Sequence, residues 1–342
     1  MKVLLHAIEQ FEWTHHGFRE LLGERNVDSF IPKELRNTRY IADKTNYSNE
    51  NYIEDLDKYD LIVFRSWFSF VDSNFKNVLD HSTSAPKIVL DYEDSYLIHN
   101  VCRSKQIALY FKRELVRQKV NFWDAMRWLP AQFAKTTYLS PMFFHKNPFD
   151  MINLTPKVYT KKSKLRPYPV TTIPDERYTH AQDKNRDIDL SLIMTLSHGE
   201  RKKVFSGAQK MAAVHKGKRF ILKKSGLTKD EYLKVLTKSK VSISVRGMGY
   251  DSFRYWEVPC YGAALLSKRT PMAIPNDFVE GKSALFFDKY EELDAKFNRY
   301  VVESDEWKEI ARAGQENFFK YHTPKKRIKN TILREIEELS RK

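Results

Sequence analysis

Two successive series of short apolar runs, separated by polar and helix-periodic stretches, constrain the fold of this chain more than any other feature. In the first series, predicted strands fall at residues 3–8, 61–65, 87–91 and near 136–139, and predicted helices at 16–22, 75–81 and 107–116. Strands that alternate with helices are typical of a parallel sheet with crossover helices on its faces. Residues 1–150 are therefore predicted to form an open α/β lobe.

The second series begins near residue 185 and has the same alternation. Its predicted strands fall at residues 188–194, 219–222, 241–245 and 263–267, and its predicted helices at 200–215, at 229–238, from 253 onward and from 307 to 339. Between the two series, residues 146–186 contain five prolines and little hydrophobic period. Such a stretch predicts an extended linker.

These boundaries give a two-lobed plan. We expect a first lobe at 1–150, a linker at 151–184, a second lobe at 185–322 and a C-terminal amphipathic helix at 323–342 that packs back on a lobe. A chain of 342 residues is long enough for two domains that each bury their own core. Two α/β lobes of similar size predict a ligand cleft between them.

The chain is strongly basic. Lysine and arginine total 59 against 44 aspartate and glutamate residues, which gives a net charge of +15. Net charge reports on partners and solubility rather than on fold, and this one favours a polyanionic partner. Nucleic acid, an anionic membrane, an acidic glycan and a phosphorylated small molecule all fit the charge.

Cysteine content and hydropathy predict a compartment. Cys102 and Cys260 are too few for a disulfide framework or a cysteine zinc site, so a reducing compartment is expected. The apolar start ends at Glu9, before a signal peptide could fit, and no run approaches the ~18 apolar residues of a membrane span. We expect a cytoplasmic protein, with peripheral contact at the inner membrane face, or the host cytoplasm for a viral protein, as open alternatives.

Common cofactor and metal motifs are absent from the sequence. No P-loop pattern occurs, and Gly247 and Gly249 lack the third glycine of a dinucleotide site. His198 has no partner at a metal-ligand spacing. Two D-x-D triplets occur, at 55–57 and 187–189, but this spacing arises often by chance. The sequence therefore predicts no metal site.

Residues 241–267 carry the most informative pattern. An apolar strand leads into a loop with Gly247, then into a short helix with Arg254 and Glu257, then into another apolar strand. A spacing of three puts the guanidinium and the carboxylate on one helix face. At the carboxyl end of a parallel strand, such a loop faces the ligand crevice, where amides favour an anion and a carboxylate can hold ribose hydroxyls. A structural ion pair between Arg254 and Glu257 is the alternative.

This segment resembles the nucleotide-sugar site of GT-B glycosyltransferases, especially the CgeB-like, group 1 pattern R-x-[FW]-E, which matches Arg254 through Glu257. Exostosin-like transferases carry a run similar to residues 246–257. Further stretches match in order at 186–201, 226–241 and 276–288. The resemblance implies an α/β fold of the GT-B type, with two Rossmann-like lobes and a cleft between them. It also implies an enzyme that transfers sugar from a nucleotide sugar, UDP-linked in our expectation.

The chain also resembles bacteriophage DNA β-glucosyltransferases at similar points. Their R-x-W-E is similar to residues 254–257, and their phosphate loop is similar to residues 197–201. Their run that begins with K-I and ends in the aspartate that serves as the base is similar to residues 87–94. This match implies that Asp94 is the catalytic base, with Asp91 and Glu93 as local rivals. A helix N-cap is the structural alternative for Asp94.

The resemblances also imply a donor site. Arg201 and Arg254, together with Arg246, would neutralise the departing diphosphate, and Glu257 would hold the ribose. The implied donor-binding residues are Ser197, Arg201, Arg246, Gly247, Arg254 and Glu257. The GT-B resemblance further implies that no divalent metal is required and that no cofactor is needed besides the nucleotide sugar. Many retaining members have a glutamate at the position of Gly249, so its absence here favours inversion.

Two classes of acceptor fit these resemblances. A surface glycan or glycoconjugate fits the broader resemblance and is the acceptor we expect, while a hydroxymethylated base of phage-type DNA is the alternative and would have to be flipped out of the stack. A non-catalytic nucleic-acid-binding protein is a third interpretation of the charge and the many aromatic residues. Binding of a nucleotide sugar would separate the enzymes from the third class.

Overall fold

The computed structural model describes residues 1–8, 12–32, 56–66, 75–92, 98–115, 152–153, 164–179, 185–247 and 249–341. The chain divides into two compact units. Unit 1 comprises Met1–Pro169, Pro271–Ile274 and Ile328–Lys342, and unit 2 comprises Val170–Thr270 and Pro275–Arg327. The junction after Pro169 lies inside the expected linker, and the last 15 residues return to unit 1.

Strands and helices alternate through both units. The strands of the described residues are β1 (Val3–His6), β2 (Val27–Phe30), β3 (Leu61–Arg65), β4 (Lys87–Asp91), β5 (Ile98–His99), β6 (Ile107–Lys112), β7 (Ile152–Asn153), β8 (Leu165–Pro167), β9 (Ile188–Ile193), β10 (Phe220–Lys223), β11 (Ser239–Ser244), β12 (Ala264–Lys268) and β13 (Leu285–Phe287). The helices are α1 (Trp13–Leu22), α2 (Phe75–Asp80), α3 (Glu176–Thr179), α4 (Gly199–Val214), α5 (Lys229–Lys238), α6 (Phe253–Cys260), α7 (Glu292–Phe297), α8 (Trp307–Asn317), α9 (Pro324–Arg327) and α10 (Arg334–Ser340). Among these residues no helix is both long enough and apolar enough to cross a bilayer.

Unit 1 is built on a parallel sheet with strand order β2-β1-β3-β4-β6-β8. β1 and β4 are buried along their whole length, as parallel strands covered on both faces must be. β5 and β7 form a separate antiparallel pair. The C-terminal segment joins this unit through an ion pair between Arg166 and Glu335. Its helical turns widen to a π-type segment at Ile328–Leu333 before α10.

Two expectations for the first half differ from the structure. Residues 107–116 were expected to form a helix, but Ile107–Lys112 form strand β6 between β4 and β8. Leu109, Tyr110 and Phe111 are all buried, and a short, continuously apolar run has no period that separates a strand from a buried helix. The expected linker at 151–184 contains β8, because the buried Leu165 pairs with Tyr110 of β6. The strand expected near 136–139 lies outside the described residues.

Unit 2 is built on a second parallel sheet with strand order β10-β9-β11-β12-β13. α4 packs on this sheet through Val204, Phe205, Ala208 and Met211. Because the strands are parallel, the loops after β9 and β11 emerge at the same carboxyl edge. This edge carries the residues that the sequence singles out.

The opposite, amino edge of the sheet in unit 2 is held by Arg186. Its buried guanidinium donates hydrogen bonds to the carbonyls of Leu236 (3.0 Å), Ser239 (2.7 Å) and Tyr261 (3.1 Å). Gly262 follows at φ +74°, where a Cβ would lie 2.6 Å from an Arg186 nitrogen. Both the backbone conformation and the lack of space therefore require glycine at this position.

Candidate functional site

The candidate site lies at the carboxyl edge of the sheet in unit 2. It is formed by the loops that follow β9 and β11, the first turn of α4, and helices α5 and α6. All donor-binding residues implied by the sequence lie on these elements: Ser197, Arg201, Arg246, Gly247, Arg254 and Glu257. The site therefore belongs to one unit, and parallel strand polarity brings its parts together.

Arg201 ties the two loops together. Its Nε donates to the carbonyl oxygen of Arg246 at 2.8 Å, and its Nη1 donates to the carbonyl oxygen of Thr195 at 3.0 Å. A Cβ on Gly247 would lie 3.5 Å from Arg201 Nη2, so glycine leaves that side of the guanidinium uncovered. Burial, with the charges of Arg254 and Arg246, lowers the pKa of Arg201 to about 10. The side chain remains a cation at neutral pH.

His198 lies beside Arg201 at the N-cap of α4. Its Nε2 is 3.1 Å from the Arg246 carbonyl oxygen, which can only accept, so Nε2 carries the proton. Nδ1 is buried and has no hydrogen-bond partner among the described residues. Burial, reinforced by the charges of Arg246 and Arg201, lowers the pKa of His198. At neutral pH its Nδ1 is therefore an unoccupied acceptor.

Arg254 and Glu257 share a helix face but are not bonded to each other within the described part of the chain. Glu257 Oε2 accepts a hydrogen bond from Tyr232 Oη at 2.8 Å. Arg254 Nε is buried and lacks a hydrogen-bond partner among these same residues. These two side chains therefore do not form a direct ion pair, and Nε of Arg254 is left without a hydrogen-bond acceptor in the described structure.

Tyr232 of α5 connects these two side chains. Burial first, and the Glu257 charge second, raise its pKa well above the usual value, while Arg254 acts in the opposite direction. Burial also raises the pKa of Glu257, against the effects of Tyr232, Arg254 and Lys229. The carboxylate is thus held in a poorly solvated place with one oxygen bonded to Tyr232.

Arg246, the third arginine of the expected donor site, is paired within unit 2. Its guanidinium pairs with Glu200 of α4 and lies 5.6 Å over the Tyr250 ring. Lys268 also contacts Glu200, at 2.7 Å. Burial acts to raise the pKa of Glu200, but Lys268 and Arg246 outweigh it and lower that pKa. Arg246 therefore organises the site through its main-chain oxygen, which binds both Arg201 and His198.

A buried aspartate and tryptophan position α6. Asp251 accepts hydrogen bonds from the Val170 amide at 2.5 Å and from Trp256 Nε1 at 3.0 Å. Trp256 is fully buried, and the Arg327 guanidinium lies 4.3 Å from its ring centroid. The tryptophan of the R-x-W-E pattern is thus a core residue that turns Arg254 and Glu257 to another face of the helix.

The expected base lies largely beyond the described part of unit 1. Asp94 and Glu93 both fall outside the described residues. Asp91 is buried at the end of β4, where it accepts hydrogen bonds from Tyr110 Oη (2.5 Å) and Ser66 Oγ (3.2 Å) and pairs with Lys112 at 2.9 Å. The carboxylate of Asp91 is therefore already held by three donors.

Within the described ranges, no group of three or more His, Cys, Asp and Glu side chains could hold a metal ion. Asp187 pairs with Arg219, and Asp189 pairs with Lys240 at 2.7 Å. The D-x-D triplet at 187–189 thus contributes ion pairs to unit 2.

Comparison with known proteins identifies the domain that holds most of this site. Residues 202–332 match the family described as glycosyl transferase-like. A glycosyltransferase from Rickettsia africae has a similar structure, with 8% identity, a TM-score of 0.55 and coverage of 96% of each chain. No curated protein sequence matches the chain.

Two further solved structures have TM-scores of 0.46. One is TarM from S. aureus, as a variant in complex with fondaparinux, alpha-GlcNAc-glycerol and UDP, at 10% identity over 81% of this chain and 56% of that one. The other is sucrose-phosphate synthase from Thermosynechococcus elongatus, at 10% identity over 93% of this chain and 94% of that one. The chain thus spans little more than half the length of TarM. The CgeB-like subtype stays a prediction, but residues 202–332 match the glycosyl transferase-like family and the chain has the α/β fold of GT-B glycosyltransferases.

Proposed function

We propose that this protein transfers a sugar from a nucleotide sugar, UDP-linked, to a hydroxyl of a glycan or glycoconjugate. The observation that carries the proposal is the convergence of three groups at one sheet edge. These are the Arg201 guanidinium, the buried and unpartnered Nε of Arg254, and the Glu257 carboxylate bonded to Tyr232. Two cations beside one carboxylate match the charges of a nucleoside diphosphate and the hydroxyls of its ribose.

The arginines supply what the leaving group needs. Negative charge builds on the diphosphate as its bond to the sugar breaks, and cations already fixed in a desolvated place stabilise that charge most. Arg201 is fixed by two carbonyl oxygens and Arg254 by its position on α6. Because these residues supply positive charge, we propose that no divalent metal is required.

Glu257 serves the ribose. Tyr232 occupies Oε2, and no described residue donates a hydrogen bond to Oε1, which can therefore accept from a ribose hydroxyl. The neighbouring His198 Nδ1 is a second free acceptor at this edge. A nucleotide sugar supplies several hydroxyl donors that could satisfy both.

For the base, we propose Asp94, with Glu93 and Asp91 as rivals, and inversion at the anomeric carbon. Of the three, only Asp91 is described, and its three donors favour an acceptor-only role in holding unit 1 together. Replacing Asp94 by Asn should reduce transfer by about 10²–10⁴-fold, the usual contribution of a general base. If Asp94→Asn retains its rate and Glu93→Gln loses it, the base is Glu93.

UDP binding tests the donor site directly. UDP at 100 times its Kd should stabilise the folded protein by about 2.7 kcal/mol, which is measured as a rise in Tm. Glu257→Ala should weaken this effect because the ribose loses its acceptor. Glu309→Ala, at an exposed position of α8, is the matched control and should behave as wild type. An unchanged Tm of the wild-type protein across all nucleotides would favour the nucleic-acid-binding interpretation.

A further inference from the structure

One surface of unit 2 holds most of the unbalanced positive charge. Between positions 201 and 229 the chain has ten Lys and Arg residues and no Asp or Glu. These residues form α4, the following turn and β10, the edge strand of the sheet in the described structure. We name its lysines the α4–β10 face: Lys202, Lys203, Lys210, Lys216, Lys218, Lys223 and Lys224.

The lysines of this face are free of carboxylates. Among the described residues none of the seven forms an ion pair, and six of them are exposed. Several lysines elsewhere in unit 2 are paired, for example Lys240 with Asp189, Lys268 with Glu200 and Lys296 with Glu280. The α4–β10 face therefore presents charge that no other part of unit 2 neutralises.

Some of these lysines lie where a positive charge destabilises the local structure. Arg201, Lys202 and Lys203 stand together at the start of α4, where cations oppose the helix dipole. Lysine on an edge strand is a common protection against aggregation and would account for Lys223. That protection does not account for Lys202, Lys203 or Lys210 on the helix.

The face is continuous with the candidate site. Lys202 and Lys203 directly follow Arg201 on α4. Lys224, which follows β10, lies 5.9 Å from the ring centroid of Phe205, which is also on α4. This contact brings the end of β10 beside the start of α4. At ~0.1 M salt the Debye length is about 10 Å, so neighbouring lysines here act on one ligand together.

We propose that the α4–β10 face binds an anionic glycan that presents its hydroxyl to the candidate site. This proposal deepens the proposed function and rests on it for the role of the glycan as acceptor. Charge alone carries the recognition: Val214 is the exposed large apolar residue of the face, whereas Val204, Phe205 and Met211 are buried. A membrane-binding helix would present apolar side chains beside its lysines. A surface for single-stranded nucleic acid would expose aromatic rings for stacking.

The test measures binding of the full-length protein to polygalacturonate, a carboxylated glycan, at 50 and 200 mM salt. The double variant Lys202→Gln/Lys203→Gln should bind about tenfold more weakly at low salt, with a salt slope lower by about two, because two ionic contacts are lost. The control Lys282→Gln/Lys289→Gln removes the same charge from exposed positions near β13, at the other end of the sheet, and should bind as wild type. Tm values of both variants report folding.

Several results would overturn the proposal. Equal binding by the two double variants would show that the face is not the site. If duplex DNA or phosphatidylglycerol vesicles bind more tightly than polygalacturonate at the same concentration of negative charge, that partner replaces the glycan. UDP binding by the wild-type protein is measured in parallel. Its absence would contradict the proposed function, whereas the polymer measurements would still decide whether this face binds a polyanion.

Discussion

Arginines lie at both edges of the sheet in unit 2, buried at the amino edge and half-buried at the carboxyl edge, and the two edges use them in opposite ways. At the amino edge, Arg186 donates to three carbonyl oxygens. At the carboxyl edge, Arg254 Nε has no partner within the described structure. Burial lowers the pKa of Arg186 to about 10, as it does for Arg201. A lowered arginine pKa therefore does not distinguish a structural cation from a ligand-binding one, whereas unfilled bonding capacity does.

A cavity at the amino edge supports the same distinction. A cavity of about 530 Å³ opens at the amino edge, beside Arg186 and Trp307. The charged side chains that line it are already engaged: Lys240 with Asp189, Lys308 with Asp305, and Arg312 with Glu316. The carboxyl edge instead has free acceptors and donors at His198 and Arg254. We expect ligand binding at the second edge and stability from the first.

Arg186→Met should have the largest effect on stability. The change leaves three buried carbonyl oxygens without their donor, and each unpaired buried group costs about 1–3 kcal/mol. We expect the free energy of unfolding, measured in urea, to fall by about 4 kcal/mol. Arg312→Met removes an exposed arginine of α8 and should change it by less than ~0.5 kcal/mol. Equal effects of the two changes on the free energy of unfolding would contradict the stabilising role of Arg186 at the amino edge.

Much of unit 2 could be predicted from the sequence. Strands β9, β11 and β12 are short apolar runs, and their bounds and those of α5 are predicted to within two residues. The structure adds that α5 begins at a capping box formed by Thr228 and Glu231. β13 was missed because three residues give too short a pattern. β6 was assigned wrongly because a fully buried run has no period.

The candidate site was predicted in part. Arg254 and Glu257 stand out because they are three residues apart on one helix. Tyr232 and His198 do not, since their contacts join elements that only the tertiary fold brings together. Strand polarity was the available signal, because it places all loops after β9 and β11 at one edge. The engagement of Arg246 with Glu200 likewise depends on the angle of α4 to the sheet.

Arg254→Met separates function from stability. Loss of a charged donor to the diphosphate should weaken UDP binding by about 2 kcal/mol, roughly 30-fold. The free energy of unfolding should change by no more than about 1 kcal/mol, because removal of a buried nitrogen without a partner offsets the lost attraction to Glu257. Isothermal titration and urea unfolding measure the two quantities. A variant that loses stability while it keeps UDP affinity would place Arg254 with Arg186 among the structural cations.

His198 should give the smallest effect, visible as a pH dependence of stability. Its pKa in the folded state is lowered by burial and by the charges of Arg246 and Arg201, against the opposing effects of the hydrogen bond to the Arg246 main chain and of Glu200. The unfolded chain therefore binds more protons than the folded one between the lowered pKa and about 6.5. Stability is then complete above pH ~6.5 and is lost as the pH falls through that window.

Each unit of lowering in the pKa of His198 is worth about 1.4 kcal/mol at low pH. His198→Gln keeps a donor for the Arg246 carbonyl oxygen but cannot titrate. The difference in unfolding free energy between wild type and His198→Gln, followed from pH 8 to 5, should therefore grow in favour of the variant as the pH falls. Because His322 is also buried and titrates in both proteins, its contribution cancels in this difference. A difference that stays constant with pH would mean that Nδ1 of His198 is hydrated. The carboxyl edge would then not hold a buried acceptor that lacks a partner.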